Sequence, residues 1–233
     1  MSTADTRYAL FYAPEEDTPL ARFGDGWLGR DAVNDRALPP PLLPGFTTDR
    51  IAAITGVPAH YGFHATLKAP FRLRTGATAD DLLVAVERFA DERPPFAAPP
   101  PVLDSLAGFV AVRLSQPCAP FQTLADDAVV AFEGYRAAPN TTEMVRRRYP
   151  GLTERQETFL DRWGYAYVFE EWRFHMTLSC PLDDAERLRL IGALTPLLEP
   201  MAGTSLPVRS ICLFVEEGGR PFRLLRRVPF GRS

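Results

Sequence analysis

Two five-residue stretches decide how this chain reads: Phe63-His64-Ala65-Thr66-Leu67 and Phe174-His175-Met176-Thr177-Leu178. Both fit Phe-His-x-Thr-Leu, and they lie about half a chain apart in a sequence of 233 residues. The chain has only 3 histidines, so two of them fall in one repeated pattern. Of 26 basic residues a single one is lysine, Lys68, two positions beyond Thr66.

Each stretch is rich in aromatic, aliphatic and β-branched residues, which favours strands. Side chains alternate faces along a strand, so residues two apart share a face. On that geometry His64, Thr66 and Lys68 point one way, and Phe63, Ala65 and Leu67 point to a core. Likewise Arg173, His175 and Thr177 oppose Trp172, Phe174 and Leu178. Each stretch thus offers an imidazole, a hydroxyl and a cation in a row.

The surrounding sequence supports a duplication. Arg7–Ala13 reads as a strand ended by Pro14, and Thr18-Pro19 opens a helix with proline at its first turn. A short helix is expected over Thr47–Ile54, closed by Gly56 and Pro58. Tyr61–Leu73 is read as a strand. Thr78 with Asp81 forms a capping box for the helix that follows. Val102–Leu106 and Phe109–Leu114 flank Ala107-Gly108 as a hairpin. Pro120 then starts a helix, and Thr153 with Gln156 caps another. Tyr165–Phe169 and Trp172–Ser179 read as strands. Asp183–Leu198 is a helix, and Val208–Glu217 with Phe222–Val228 a second hairpin. The order strand, helix, hairpin occurs once after each motif, the mark of a degenerate repeat. The expected fold is α+β: two pseudo-symmetric lobes, about 1–116 and 117–233, with antiparallel sheets around a central cleft and helices outside, in a single domain.

Composition narrows the function. With 46% hydrophobic and 24% charged residues, the chain can bury a sizeable core. A net charge of −3 gives no field for long nucleic acid or an anionic membrane. The 3 cysteines show no Cys-x-x-Cys, so neither a disulfide scaffold nor a zinc site is expected. No signal segment or apolar run of membrane length is seen, and a cytoplasmic, monomeric protein is expected.

Two imidazoles facing one cleft suit acid–base chemistry near neutrality. One takes a proton from a nucleophile while the other protonates a leaving oxygen. Thr66 and Thr177 can donate to phosphoryl oxygens, and Lys68 and Arg173 can offset the charge. Cleavage of a phosphodiester is the reaction this set suits, with no metal and no cofactor.

Paired His-x-Thr motifs resemble those of the two-histidine phosphoesterase superfamily. More narrowly, RYALFYAPEED (7–17), YGFHATLKAPFRL (61–73) and WGYAYVFEEWRFHMTLS (163–179) resemble a bacterial family often encoded beside phosphonate-utilisation genes. The resemblance implies His64 and His175 as catalytic residues, Thr66 and Thr177 as phosphate-binding hydroxyls, and metal-independent hydrolysis of a cyclic phosphodiester. Its phosphonate context implies a phosphorylated ribose cyclic phosphate or a related ester.

Further candidates are weaker. Tyr12, Tyr61 and Tyr167 can stack on a base or donate to phosphate, although packing is the stronger reading of each. Arg146–Arg148 reads as a solvated face or as a lid over an anion. His60 reads as a structural bystander. Two other functions remain open: a non-catalytic module that binds a nucleotide or RNA end, and an RNA 2′,3′-cyclic or 2′-5′ end-processing enzyme.

Overall fold

A computed structural model describes residues 6–140, 144, 147–148 and 151–231. Its centre is a seven-stranded antiparallel sheet. The strands in it are β1 (Thr6–Tyr12), β4 (Ala65–Phe71), β6 (Pro101–Leu106), β7 (Phe109–Leu114), β8 (Met176–Thr177), β10 (Ser210–Glu217) and β11 (Arg223–Pro229). Their order across the sheet is β11-β10-β1-β4-β8-β7-β6. Two short ribbons accompany it: β2 (Arg30–Asp31) with β3 (Arg36–Ala37), and β5 (Phe96–Ala98) with β9 (Leu206–Val208).

The main helices among the described residues are α1 (Pro19–Leu28), α2 (Thr48–Tyr61), α3 (Ala79–Asp91), α4 (Ala119–Ala131), α5 (Glu154–Trp163) and α6 (Asp184–Leu198). Thr18, Thr47, Thr78, Thr153 and Asp183 cap five of them by accepting backbone N–H bonds. Both expected capping boxes, Thr78 with Asp81 and Thr153 with Gln156, are formed.

The order strand, helix, hairpin occurs twice, and it is crossed. The strand β4 leads to α3 and then to the β6–β7 hairpin, which lies beside β8. The strand β8 leads to α6 and then to the β10–β11 hairpin, which lies beside β1 and so two strands from β4. Helix α3 packs on β10 and β11, and α6 packs on β6 and β7. Each repeat therefore completes the other's half of the sheet. Residues 1–116 and 117–233 interleave in space, and the two expected lobes share one continuous sheet. Hydrophobic burial across this crossing ties the halves together.

One face of the sheet carries the main core, including Leu10, Leu67, Val112, Met176 and Leu213, all 0–1% exposed. The opposite face carries a smaller apolar cluster of Ala9, Phe11, Cys212, Phe214 and Phe222. The candidate site stands on that second face.

Three expectations about elements are corrected. The helix expected to close at Gly56 and Pro58 continues to Tyr61. Pro58 has no N–H to give Ile54, and the Cys180 N–H takes that carbonyl instead, at 2.8 Å. This tertiary bond satisfies the carbonyl that a helix proline leaves without a donor. Tyr165–Phe169 is no strand; the chain there is irregular and enters a 3₁₀ turn over Phe169–Glu171. The strand read at Trp172–Ser179 shrinks to Met176–Thr177. Side chains replace the ladder around it: the Trp172 indole donates to the Thr66 carbonyl at 2.8 Å, and the Val110 N–H donates to Ser179 Oγ at 2.8 Å.

Candidate active site

Strands β4 and β8 meet at the centre of the sheet with Ala65 opposite Met176. Continuing that antiparallel register by one residue each way sets His64 opposite Thr177 and Thr66 opposite His175. Ala65 and Met176 face the core, 1% and 0% exposed. The four motif residues therefore share the other face, and all four line one cavity of ≈ 510 Å³.

The two imidazoles are held alike. His64 Nδ1 lies 2.9 Å from the Gly62 carbonyl, and His175 Nδ1 lies 2.8 Å from the Arg173 carbonyl. A carbonyl only accepts, so each Nδ1 carries the proton and each neutral Nε2 keeps its lone pair. The Nε2 of His64 sits 3.2 Å from Thr66 Oγ1. Phe11 stacks beneath the His64 ring, with centroids 3.7 Å apart and planes inclined by 25°. Phe109 lies 5.7 Å from the His175 ring.

Gly62 makes the approach to His64 possible. It ends α2 with φ 78°, a conformation that side-chain-bearing residues rarely adopt. A Cβ there would also meet the Ala32 Cβ at 2.3 Å.

Burial depresses both histidines. It lowers His64 to about 4, against the Gly62 bond and helped by the nearby His175. It lowers His175 too, against the Arg173 bond and helped by Arg113. Both shifts favour the neutral imidazole at pH 7. Catalysis by such a pair needs one neutral and one protonated ring. The protonated fraction grows as pH falls, so kcat/KM should peak below pH 6.5 and fall again towards pH 4. Binding an anion favours the charged form and should move the kcat profile to higher pH than the kcat/KM profile. Steady-state rates from pH 4 to 9 check this; a kcat/KM profile still rising above pH 7.5 would contradict it.

Of the other expected site residues, Tyr61 and Tyr167 line the cleft. Tyr12 does not: it is 1% exposed, on the core face, with its hydroxyl 3.4 Å from the Pro207 carbonyl. Arg173 is exposed and lies in a neighbouring groove of ≈ 640 Å³ with Trp172 and Phe174, and neither histidine borders that groove. Its guanidinium donates to the Glu170 and Trp172 carbonyls at 2.6 and 2.7 Å. Ladder pairing on this strand begins only at Met176, so no strand bonds hold Arg173 beside His175 in the cleft.

Lys68 is corrected as well. A bulge in β4 opposes Phe11 to Thr66 but Leu10 to Lys68, so Leu67 is the extra residue. The bulge reverses the alternation and turns Lys68 to the core face, 3% exposed. Its Nζ donates to the Val129 carbonyl at 2.9 Å and to Glu133 at 3.0 Å. Burial lowers its pKa, while Glu133 opposes that shift. Lys68→Ala should cost about 2–4 kcal/mol, through a cavity and a stranded carbonyl. Its kcat should stay within about twofold, because the ammonium is outside the cleft. Denaturant melts beside steady-state rates separate the two effects; a stable but inactive variant would contradict the assignment.

Arg146 lies outside the described residues. Arg147 lines the cleft and donates to the Pro70 carbonyl at 2.6 Å and to the Gly164 carbonyl, while Arg148 pairs with Asp161. His60 pairs with Glu216 at 2.9 Å. Sequence reasoning missed Arg7, Phe11 and Tyr165 on the cleft wall. The alternation of Arg7, Ala9 and Phe11 along β1 was the one local signal that grouped the first two on a single face. Among the described residues no three His, Cys, Asp or Glu side chains gather as a metal-holding group, and no helix is long and apolar enough to cross a membrane.

An antiparallel sheet with helices packed on it, and paired His-x-Thr segments at its two central strands, is the α+β architecture that the resemblance to two-histidine phosphoesterases implied. A family described as a protein of unknown function, DUF1045, matches residues 66–223, and the chain belongs to that family. The chain is 34% identical over 234 residues to a ribose 1,5-bisphosphate phosphokinase PhnN of Janthinobacterium sp. (strain Marseille), covering 98% of this chain and 52% of that protein. It is 35% identical over 230 residues to the like-named protein of Laribacter hongkongensis (strain HLHK9), covering 95% and 51%. It thus spans about half the length of these relatives. Among solved structures it is similar to a phosphoesterase, with a TM-score of 0.45, 13% identity and coverage of 97% and 99% of the two chains. It is also similar to E. coli LigT complexed with 3′-AMP, with a TM-score of 0.42, 12% identity and coverage of 98% and 99%.

Proposed function

We propose that this chain is a phosphodiesterase that opens a cyclic phosphodiester on a small sugar-phosphate or nucleotide-like substrate. The observation that carries this reading is the pairing of β4 with β8. It sets two imidazoles diagonally across the strand pair on one face, each with Nδ1 fastened to a carbonyl and Nε2 without the proton. One Nε2 accepts a proton from water as its oxygen bonds to phosphorus. The other imidazole, protonated, donates to the sugar oxygen as the ring P–O bond breaks. The product is a phosphomonoester, and the histidines exchange protonation states. Thr66 and Thr177 donate to the non-bridging oxygens, where charge builds in the transition state.

The names of the relatives support a sugar phosphate as the carrier of the ester, and the phosphonate-utilisation context implied by the sequence resemblance points the same way. The test is turnover of 2′,3′-cyclic nucleotides, ribose cyclic phosphates and 2′-5′ linked dinucleotides, with EDTA present. Release of a phosphomonoester from a cyclic substrate is expected. Binding without product across the whole panel would instead favour a non-catalytic module.

A further inference from the structure

The two histidines and two threonines leave one charged cluster on the cleft wall unused. Arg7 lies on the same face of β1 as Phe11, four residues and about 13 Å away along an extended strand. Its cross-strand partner on β10 is Glu216. Arg7 turns Nε and Nη2 to that carboxylate, the Nη2 bond being 2.6 Å. His60 Nε2 holds the same carboxylate at 2.9 Å. The side chains of Arg7 and Glu216 are only 13% and 5% exposed.

A buried ion pair is a poor source of stability, because desolvation offsets its attraction. What it supplies is direction. The side-on grip of Glu216 occupies Nε and Nη2 and leaves Nη1, with two N–H groups, outside the carboxylate. Tyr61 lies beside the Arg7 guanidinium. The Phe222 ring supports both: Arg7 lies 5.4 Å from its centroid, and Tyr61 stacks on it at 5.3 Å. Arg7 and Tyr61 line the cleft together, and none of the described residues lining it is an aspartate or glutamate. A guanidinium and a phenol fixed on one wall of a cleft lined by no carboxylate form a donor set for an anion. The site of the reacting diester adjoins it, the Tyr61 and His64 rings lying 6.3 Å apart.

We propose that Arg7 and Tyr61 form a second anion subsite that holds a phosphomonoester carried by the substrate, with Glu216 and His60 as positioning residues for Arg7. The proposal rests on the phosphodiesterase reading for the identity of the first phosphate. It narrows the substrate class to a cyclic phosphodiester that carries a further phosphate within reach of the same cleft. Guanidinium and phenol donors match the several acceptor oxygens of such a group, and charge-assisted bonds of this kind are the strong ones.

The test compares two ligands that differ only in that second phosphate. Adenosine 2′-phosphate and adenosine 2′,5′-bisphosphate are titrated calorimetrically into the wild type, so the shared base and sugar cancel. The bisphosphate should bind at least about tenfold more tightly. Arg7→Ala should shrink that gap to under about twofold, Arg7→Lys should restore part of it, and Glu216→Gln should reduce it by loosening Arg7. Arg7→Ala/Glu216→Ala leaves no buried charge stranded and serves as the folded control, verified by thermal melting. Equal affinities in the wild type, no binding of either ligand, or a gap that survives in the double variant would overturn the proposal. Turnover of adenosine 2′,3′-cyclic phosphate is followed in parallel. Absent turnover with an intact binding gap would sink the phosphodiesterase reading and leave the subsite standing.

Discussion

Replacing either His64 or His175 with alanine should reduce turnover of a cyclic phosphodiester by about 10²–10⁴-fold, the usual contribution of a positioned general acid or base. The double variant should be scarcely slower than the worse single one. Proton transfer by one ring is useless once the other step has become limiting, so the two losses do not add. Both rings are set into the sheet face by local bonds to carbonyls, at 2.9 and 2.8 Å, and hold no charge at pH 7 that the fold depends on. The variants should therefore remain folded, with melting temperatures near that of the wild type. Rate measurements on a cyclic substrate check the effect, with circular dichroism as the folding control. Full activity in both single variants would end the assignment. A loss in only one would leave a single-histidine mechanism and require another acid or base on the cleft wall.

Phe11→Ala should have the largest effect on stability. Phe11 is fully buried at 0% exposure, within the small cluster that supports the cleft face. Removing a buried phenylalanine costs about 3–5 kcal/mol. For a chain of this size that lowers the melting temperature by roughly 10 °C. The same ring stacks under His64 at 3.7 Å, so the change should also lower kcat, even well below the melting temperature. Phe11→Leu separates the two roles. It keeps most of the apolar volume and should cost under about 1.5 kcal/mol if the cluster can repack, yet it removes the flat surface beneath the imidazole. A kcat loss in Phe11→Leu comparable to that in Phe11→Ala would show that the stack positions His64. If Phe11→Leu kept full kcat, Phe11 would be a core residue alone.

The local signals proved good guides where local physics decides. Capping residues at Thr78 and Thr153, proline after Thr18 and the Ala107-Gly108 turn each act within a few residues, and each marked its element correctly. Strand alternation placed His64 with Thr66 because the two lie before the bulge. The reading failed where a distant partner intervenes. Pro58 reads as a helix stop, yet α2 runs through it because Cys180, over a hundred residues away, takes the released carbonyl. Lys68 reads as a site cation, yet Leu67 is an extra residue relative to β1 and turns it into the core beside Glu133. Arg173 reads as the second site cation, yet the strand that would align it begins only at Met176.

By itself, the sequence determined that two like segments, each with a histidine and a threonine two positions apart, recur half a chain apart. It also determined that a strand would present each such pair on one side. That follows from a periodicity of two, which needs no knowledge of neighbours. Only the tertiary structure decided that the two segments adjoin as central strands, that their hairpins cross to the opposite halves of one sheet, and that Glu216, itself held by His60, grips Arg7 on the cleft wall. Strand order, bulges and ion pairs depend on which distant backbone supplies the partner, and that is settled by burying both faces of the sheet at once.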